Sequence, residues 1–410
     1  MGIKERIKSI LRPIVRYILV RIRRKGNVEY KDKFLEDLRK VIYDNKYDAI
    51  IILDVYFGFN MKMFQRPQHI ALNLSNENIL YFYKSSPYID KDIEIYKKIN
   101  NNLYVINTDI YWIQEGLLDI IKESHIKAFA QIYSTSFIEY DKYVEKFLSR
   151  GFKIIYEFVD ELSDDIAGFK ISENIKKSHR KMLEDVENTY IIATADRLYN
   201  EAKSIRGIKR LALIENGVDF QHFSCIKCKD IPERMLSIVT SNKKIIGYFG
   251  ALAKWFDYSL IKRLSNEFGD INIVLIGVDY DKSLAKSGIL NLNNIHYIDA
   301  VNYDRLPSYA QFFDISMIPF IINDITKSTS PVKLFEYMAL GKPIVTTDLP
   351  ECRKYKSPLI SKNHDEFIEN IKEAIKLMDD NRYKSQLSKE GNENTWSKRA
   401  FDIKNFILNS

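Results

Sequence analysis

Short apolar runs alternate with longer amphipathic stretches along most of the chain. The runs read as strands at Ala49–Leu53, Ile79–Tyr83, Leu103–Ile106, Ala128–Tyr133, Lys153–Phe158 and Tyr190–Thr194. After a break near residues 219–242 they resume at Lys244–Phe249, Ile271–Ile276, His296–Ile298, Ile315–Pro319 and Pro343–Thr346. A strand that is apolar at nearly every position is buried on both faces, and the helical stretches between such strands supply the cover. Two series of this kind predict an α/β chain of two doubly wound, Rossmann-like domains facing across a cleft. The expected domains are residues 31–224 and 225–394, with a final helix, 395–410, crossing back to the first. Ligands of such sheets bind beyond the carboxyl ends of the strands.

Residues 1–30 follow a different pattern. Ile3, Ile7, Ile10, Leu11, Ile14, Ile18 and Ile22 keep the three-to-four spacing of one helix face, with Pro13 as a kink or break. This predicts an N-terminal amphipathic helix, either lying on an anionic membrane surface or packed on the body. The charge supports the first alternative. The chain carries 62 basic and 55 acidic residues, a formal +7. Nine of the basic side chains and a single acid, Glu5, fall within residues 1–25. The body is therefore close to neutral, and no nucleic-acid partner is expected. Each basic residue near anionic lipid contributes about 1 kcal/mol, enough in sum for reversible docking. No run of apolar residues is long enough to span a membrane, and Arg12, Arg16 and Arg21 interrupt any signal-peptide core. Three cysteines exclude a disulfide scaffold, and Cys225 and Cys228 read as free thiols. The expected location is the cytoplasm, at the inner face of the cell membrane.

The densest chemistry lies in Ser328-Thr-Ser-Pro-Val-Lys-Leu-Phe-Glu-Tyr-Met-Ala-Leu-Gly-Lys-Pro343. Ser330 reads as a helix cap, Pro331 as the first helical residue, and Gly341 as the terminator. A helix N-terminus with Ser328, Ser330 and Lys333 beside it suits a phosphate. Glu336, three residues after Lys333, shares its face and can accept bonds from two ribose hydroxyls. Gly250, closing Gly247-Tyr-Phe-Gly250, lets backbone approach a pyrophosphate. Asp279 and Asp281 form a DxD pair able to hold a divalent cation only in a different fold.

These residues resemble the GT-B-fold glycosyltransferases related to the group 1 enzymes of bacterial surface polysaccharide synthesis. The likeness is carried by Pro331–Val345 with Pro350-Glu351, and by Glu215–Asp219, Gly247–Leu252 and Asp314–Pro319. Phe64-Gln-Arg-Pro-Gln-His-Ile70 extends it into the first half. The resemblance implies a nucleotide-sugar donor held by the C-terminal domain, a glycan acceptor held by the N-terminal one, and hexosyl transfer without a metal or other cofactor. It places Gly250, Lys254, Ser328, Ser330, Lys333 and Glu336 at the donor, with Tyr303 near the base. A lipid-linked acceptor follows if the basic segment holds the protein at a membrane.

The group usually has a second Glu eight residues before the ribose-binding one, where Ser328 stands. It also has an Arg after the first glycine loop, which is absent from Gly250–Asp257. A branch that uses serines and a lysine for the diphosphate includes inverting enzymes. Inversion needs a base for the acceptor hydroxyl. Asp160, just past the strand Lys153–Phe158, is the first candidate, with Glu161 and Asp164 to orient the acceptor. The alternative for these acids is helix capping. His69 is a second candidate base, and Arg66 a ligand for an acceptor carboxylate or phosphate. The alternative for both is a structural helix start. A catalytically silent glycan- or partner-binding protein of the same fold is the other functional class that the missing Glu admits.

Overall fold

The computed structural model describes residues 30–167, 169–225 and 230–409. The expected helix at 1–30 and Cys228 lie outside these residues. The first sheet has eight strands: β1 Ala49–Leu53, β2 Ile79–Lys84, β3 Tyr96–Lys98, β4 Leu103–Ile106, β5 Ala128–Tyr133, β6 Lys153–Phe158, β7 Thr189–Ala193 and β8 Leu211–Leu213. Their order is β3-β4-β2-β1-β5-β6-β7-β8. Only β3 runs antiparallel to its neighbour. The second sheet has six parallel strands: β9 Ile245–Phe249, β10 Asn272–Ile276, β11 Ile295–Ile298, β12 Ile315–Ile318, β13 Ile344–Thr347 and β14 Leu359–Ser361. Their order is β11-β10-β9-β12-β13-β14. The molecule has the two Rossmann-like domains of the GT-B fold.

The apolar runs form these strands because side chains of successive strand residues point to opposite faces. Along β1, Ile50 and Ile52 enter one core with Leu117 and Ile121. Ala49, Ile51 and Leu53 enter another with Ile70 and Leu74. Helix Trp396–Asn409 completes this second core through Trp396, Ala400, Ile403 and Ile407. The C-terminal domain has one contiguous core around β9, β10 and β12.

The chain crosses between domains twice, and the two crossings touch. The Val218 N–H donates to the Asn394 carbonyl at 3.0 Å, and the Trp396 N–H donates to the Val218 carbonyl at 3.0 Å. A Cβ on Gly217 would stand 2.9 Å from the Asn394 carbonyl oxygen, so only glycine permits this approach. Val218 and Phe223 belong to the C-terminal core. The domain boundary therefore falls near residue 217, not 225.

Candidate active site

The carboxyl ends of both sheets open onto one cleft of about 840 Å³. On its C-terminal wall, β9 ends at Gly250 (φ 139°) and β10 at Gly277 (φ 152°). A side chain on Gly277 would strike the Gly250 carbonyl, and one on Gly250 would strike the Lys333 side chain. The two bare turns let Lys333 lie against backbone. Its ammonium sits 5.6 Å from the Tyr248 ring centre and 5.8 Å from that of Phe320.

Helix Val332–Leu340 carries Lys333 and Glu336 on the face toward the cleft. Pro331 occupies its cap position without a side-chain cap, and its first turn holds no acid. The expected cap, Ser330, is engaged elsewhere: its Oγ accepts from the Asn216 N–H at 3.3 Å. The helix start thus offers free N–H groups and an uncompensated dipole to the cleft. No described residue hydrogen-bonds the Lys333 ammonium or the Glu336 carboxylate. Burial lowers the proton affinity of Lys333 and raises that of Glu336, each opposed by the charge of the other. An anion beside Lys333 and hydroxyls beside Glu336 would relieve both.

Tyr303 also lines the cleft, stacked on Phe64 at 5.6 Å and on His222 at 4.6 Å between ring centres. Its buried hydroxyl has no partner among the described residues. Its N–H donates to the Lys62 carbonyl at 3.0 Å, a direct bond between the walls.

On the N-terminal wall, Asp160 fronts the cleft beyond β6. The Asp160 carbonyl accepts from Ser134 Oγ at 3.3 Å, but no described residue bonds its carboxylate. Burial alone pushes that carboxyl up to about 7.

Several sequence expectations need correction. His69 does not line the cleft. Its ring is 4% exposed, stacked 4.8 Å from Trp396, and burial with His222 nearby holds it down to about 3. It is a neutral packing group. Arg66 reaches the cleft, but its guanidinium is committed. Nε donates to Glu157 Oε2 at 3.0 Å, and Nη1 donates to the Glu215 carbonyl at 3.0 Å and to Asn216 Oδ1 at 3.3 Å. The buried Glu157 demands that pairing. Ser328 is fully buried, donating to the Asp324 carbonyl at 3.0 Å and to Glu161 Oε2 at 3.3 Å. Glu161 also pairs with Arg197 at 3.5 Å, so Ser328 and Glu161 join the two domains across the cleft. Asp164 caps a loop by accepting from the Ile171 N–H at 2.9 Å. Lys254 is exposed and is not among the residues lining the cleft; its backbone N–H donates to Asp281 Oδ2 at 3.0 Å. The DxD carboxylates accept backbone N–H groups, Asp279 from Leu284 and Ala285, Asp281 from Lys254 and Ser283.

The sequence reading missed Gly277 and the polar ends of β1, β2 and β5. Each had a signal: a glycine or a polar side chain directly after an apolar run. Asn216 is a further hub, its amide donating to the Ser330 carbonyl at 2.7 Å while its own carbonyl accepts from Arg399 Nε at 3.1 Å.

Residues 243–377 match the glycosyl transferases group 1 family. The chain is 27% identical over 218 residues to the putative teichuronic acid biosynthesis glycosyltransferase TuaH of Bacillus subtilis, covering 51% of this chain and 53% of that protein. It thus spans about half the length of that relative in the match. Among solved structures it is similar to Anabaena Alr3699/HepE in complex with UDP and glucose, with TM-score 0.64, 12% identity, and 89% of this chain and 100% of that one covered. It is also similar to WaaG, a glycosyltransferase involved in lipopolysaccharide biosynthesis, with TM-score 0.53, 12% identity, and coverage of 87% and 99%. The structural likenesses give the fold and the sequence match gives the likeness of one part: this is a GT-B-fold chain in which residues 243–377 match the glycosyl transferases group 1.

Proposed function

We propose that the protein transfers a sugar from a nucleoside-diphosphate sugar to a hydroxyl of a glycan acceptor in cell-surface polysaccharide synthesis. The observation that carries this reading is the Lys333–Glu336 pair, enclosed at the cleft beside Gly250 and Gly277 and hydrogen-bonded to no described residue. In this reading the diphosphate lies at the start of helix Val332–Leu340 with Lys333 over it, and the ribose lies at Glu336. Charge builds on the diphosphate as the glycosidic bond breaks, and these fixed groups stabilise it there. With Asp279 and Asp281 spent on backbone, Lys333 and the helix end take the place a divalent cation would fill. Asp160 removes the acceptor hydroxyl's proton as that oxygen attacks the anomeric carbon, which inverts its configuration. The relatives support the setting: one is named for teichuronic acid biosynthesis and another for lipopolysaccharide biosynthesis.

Glu336→Ala should weaken UDP or GDP binding at least tenfold, about 1.4 kcal/mol, with wild-type affinity unaltered by EDTA. Unchanged affinity in the variant, by calorimetry, would remove the donor site from this helix.

The acceptor is taken to be lipid-linked, because the basic segment 1–25 would hold the protein on an anionic membrane. Among the described residues no helix is long and apolar enough to cross one. A chain lacking residues 1–25 should no longer sediment with anionic liposomes; equal sedimentation of both chains would refute the docking role.

A catalytically silent binding protein is the second reading, favoured by the buried, structural Ser328 at the place of the group's second Glu. Donor turnover that disappears in Asp160→Asn would exclude it.

A further inference from the structure

Four adjacent strands of the first sheet end in polar side chains on the cleft. In sheet order these are Lys84 on β2, Asp54 after β1, Tyr133 on β5 and Asp160 after β6. Neighbouring strands lie about 4.8 Å apart, so the row extends roughly 14 Å from Asp160 along the N-terminal wall. That is room for more than one sugar ring.

The far end is balanced in charge. Lys84 Nζ lies 3.0 Å from Asp54 Oδ1 and 3.6 Å from Asp109 Oδ1. Lys146 Nζ lies 2.7 Å from Asp54 Oδ2, and the Tyr143 hydroxyl is shared between the Asp54 carbonyl at 2.9 Å and Oδ2 at 3.1 Å. Two ammonium groups face two carboxylates. Asp54 and Lys84 show only 8% and 9% of their side chains, yet both front the cleft. Lys146 bonds Oδ2 of Asp54, whereas Oδ1 keeps a lone pair beside the Lys84 ammonium, which also lies 3.9 Å from the centre of the Tyr56 ring. Midway along the row, Tyr133 is 4% exposed, and its hydroxyl has no partner among the described residues. A phenol buried bare at the edge of a cleft is costly unless a ligand completes it. Tyr56, Phe57 and Trp255 add aromatic surface around the row.

The geometry points to an acceptor subsite in which this row binds a neutral oligosaccharide, with Tyr133 and the Asp54–Lys84 pair holding hydroxyls beyond the unit that Asp160 serves. The inference rests on the glycosyltransferase reading and names its acceptor class. A lone pair beside a donor fits adjacent hydroxyls of a pyranose, one donating and one accepting. A uronate or phosphate gains nothing from a cluster without net charge and meets the Asp54 carboxylate as a like charge.

Saturation-transfer NMR on the full-length protein with UDP present tests this, using maltotriose, chitotriose and trigalacturonate as probes. At least one neutral trisaccharide should bind and trigalacturonate should not. Tyr133→Phe removes a hydroxyl that no described group uses, so the melting temperature should hold or rise and UDP affinity should hold. Affinity for the bound trisaccharide should fall about fivefold, as for one lost hydrogen bond, and Lys84→Met should lower it further. Preference for trigalacturonate, no binding of any trisaccharide, or unchanged affinity in Tyr133→Phe overturns the subsite. Wild-type protein that binds neither UDP nor GDP would instead overturn the donor reading beneath it.

Discussion

At Asp160 the protein keeps a carboxyl to which no described residue offers a hydrogen bond, and burial holds its proton up to about 7 instead of the ordinary 3.8. Below pH 3.8 folded and unfolded chains both carry the proton, so the site is neutral in its effect on stability. Between about pH 4 and 7 the unfolded chain releases it and the folded one does not, so stability falls as pH rises. Asp160→Asn removes this penalty. Its melting temperature should exceed that of the wild type at pH 8 and match it at pH 3.5. Transfer by the wild type should rise with pH through about 7, while the variant should show none. A variant that melts below the wild type at pH 8 would contradict the buried, unpartnered carboxyl. Asp160, Lys333 and Glu336 were legible in the sequence because the end of a strand and one face of a helix already specify the cleft. The fates of His69, Lys254 and Ser328 were not. Each depends on contacts made in the folded chain, with Trp396, Asp281 and Glu161 respectively, all distant in sequence.

The strands that the apolar runs predicted were found within a residue or so of their expected ends. Those overlooked, β3, β8 and β14, are three residues long, and β3 is exposed throughout. A short strand at a sheet edge needs no continuous apolar run, so the pattern carries no trace of it. Helix Val332–Leu340 was legible, but its cap was not, because Asn216 takes Ser330 from across the domain junction. The glycine turns after β9 and β10 show how two elements share one constraint. Alanine at Gly277 meets the Gly250 backbone, which cannot move without parting the strands. Alanine at Gly250 meets the flexible end of Lys333. Both also strain a backbone that side chains rarely adopt. Gly277→Ala should therefore lower the melting temperature more than Gly250→Ala. Gly250→Ala should mainly weaken UDP binding by displacing the ammonium. Equal melting temperatures would argue against the contact between the turns.

Across the whole molecule the N-terminal domain is discontinuous in sequence. Its second core uses residues 49–214 together with the last helix, and Trp396 anchors that helix against His69. Trp396 is 1% exposed, and truncating a tryptophan so placed costs about 3–5 kcal/mol. Urea denaturation of Trp396→Ala should show a loss of that size; a loss under about 1 kcal/mol would mean the helix is a surface attachment. Between the crossings, the C-terminal domain has its core in one uninterrupted stretch.

The closing helix also sets an order of assembly during synthesis. Domains fold as they leave the ribosome, amino end first. Here the first domain to emerge must wait with Ile70, Leu74 and the outer face of its sheet uncovered while the second is made and folds. Only emergence of residues 396–409 lets Trp396, Ile403 and Ile407 close it. The N-terminal domain, translated first, is therefore completed only after the C-terminal one, and its apolar groove stays open while residues 215–395 are made.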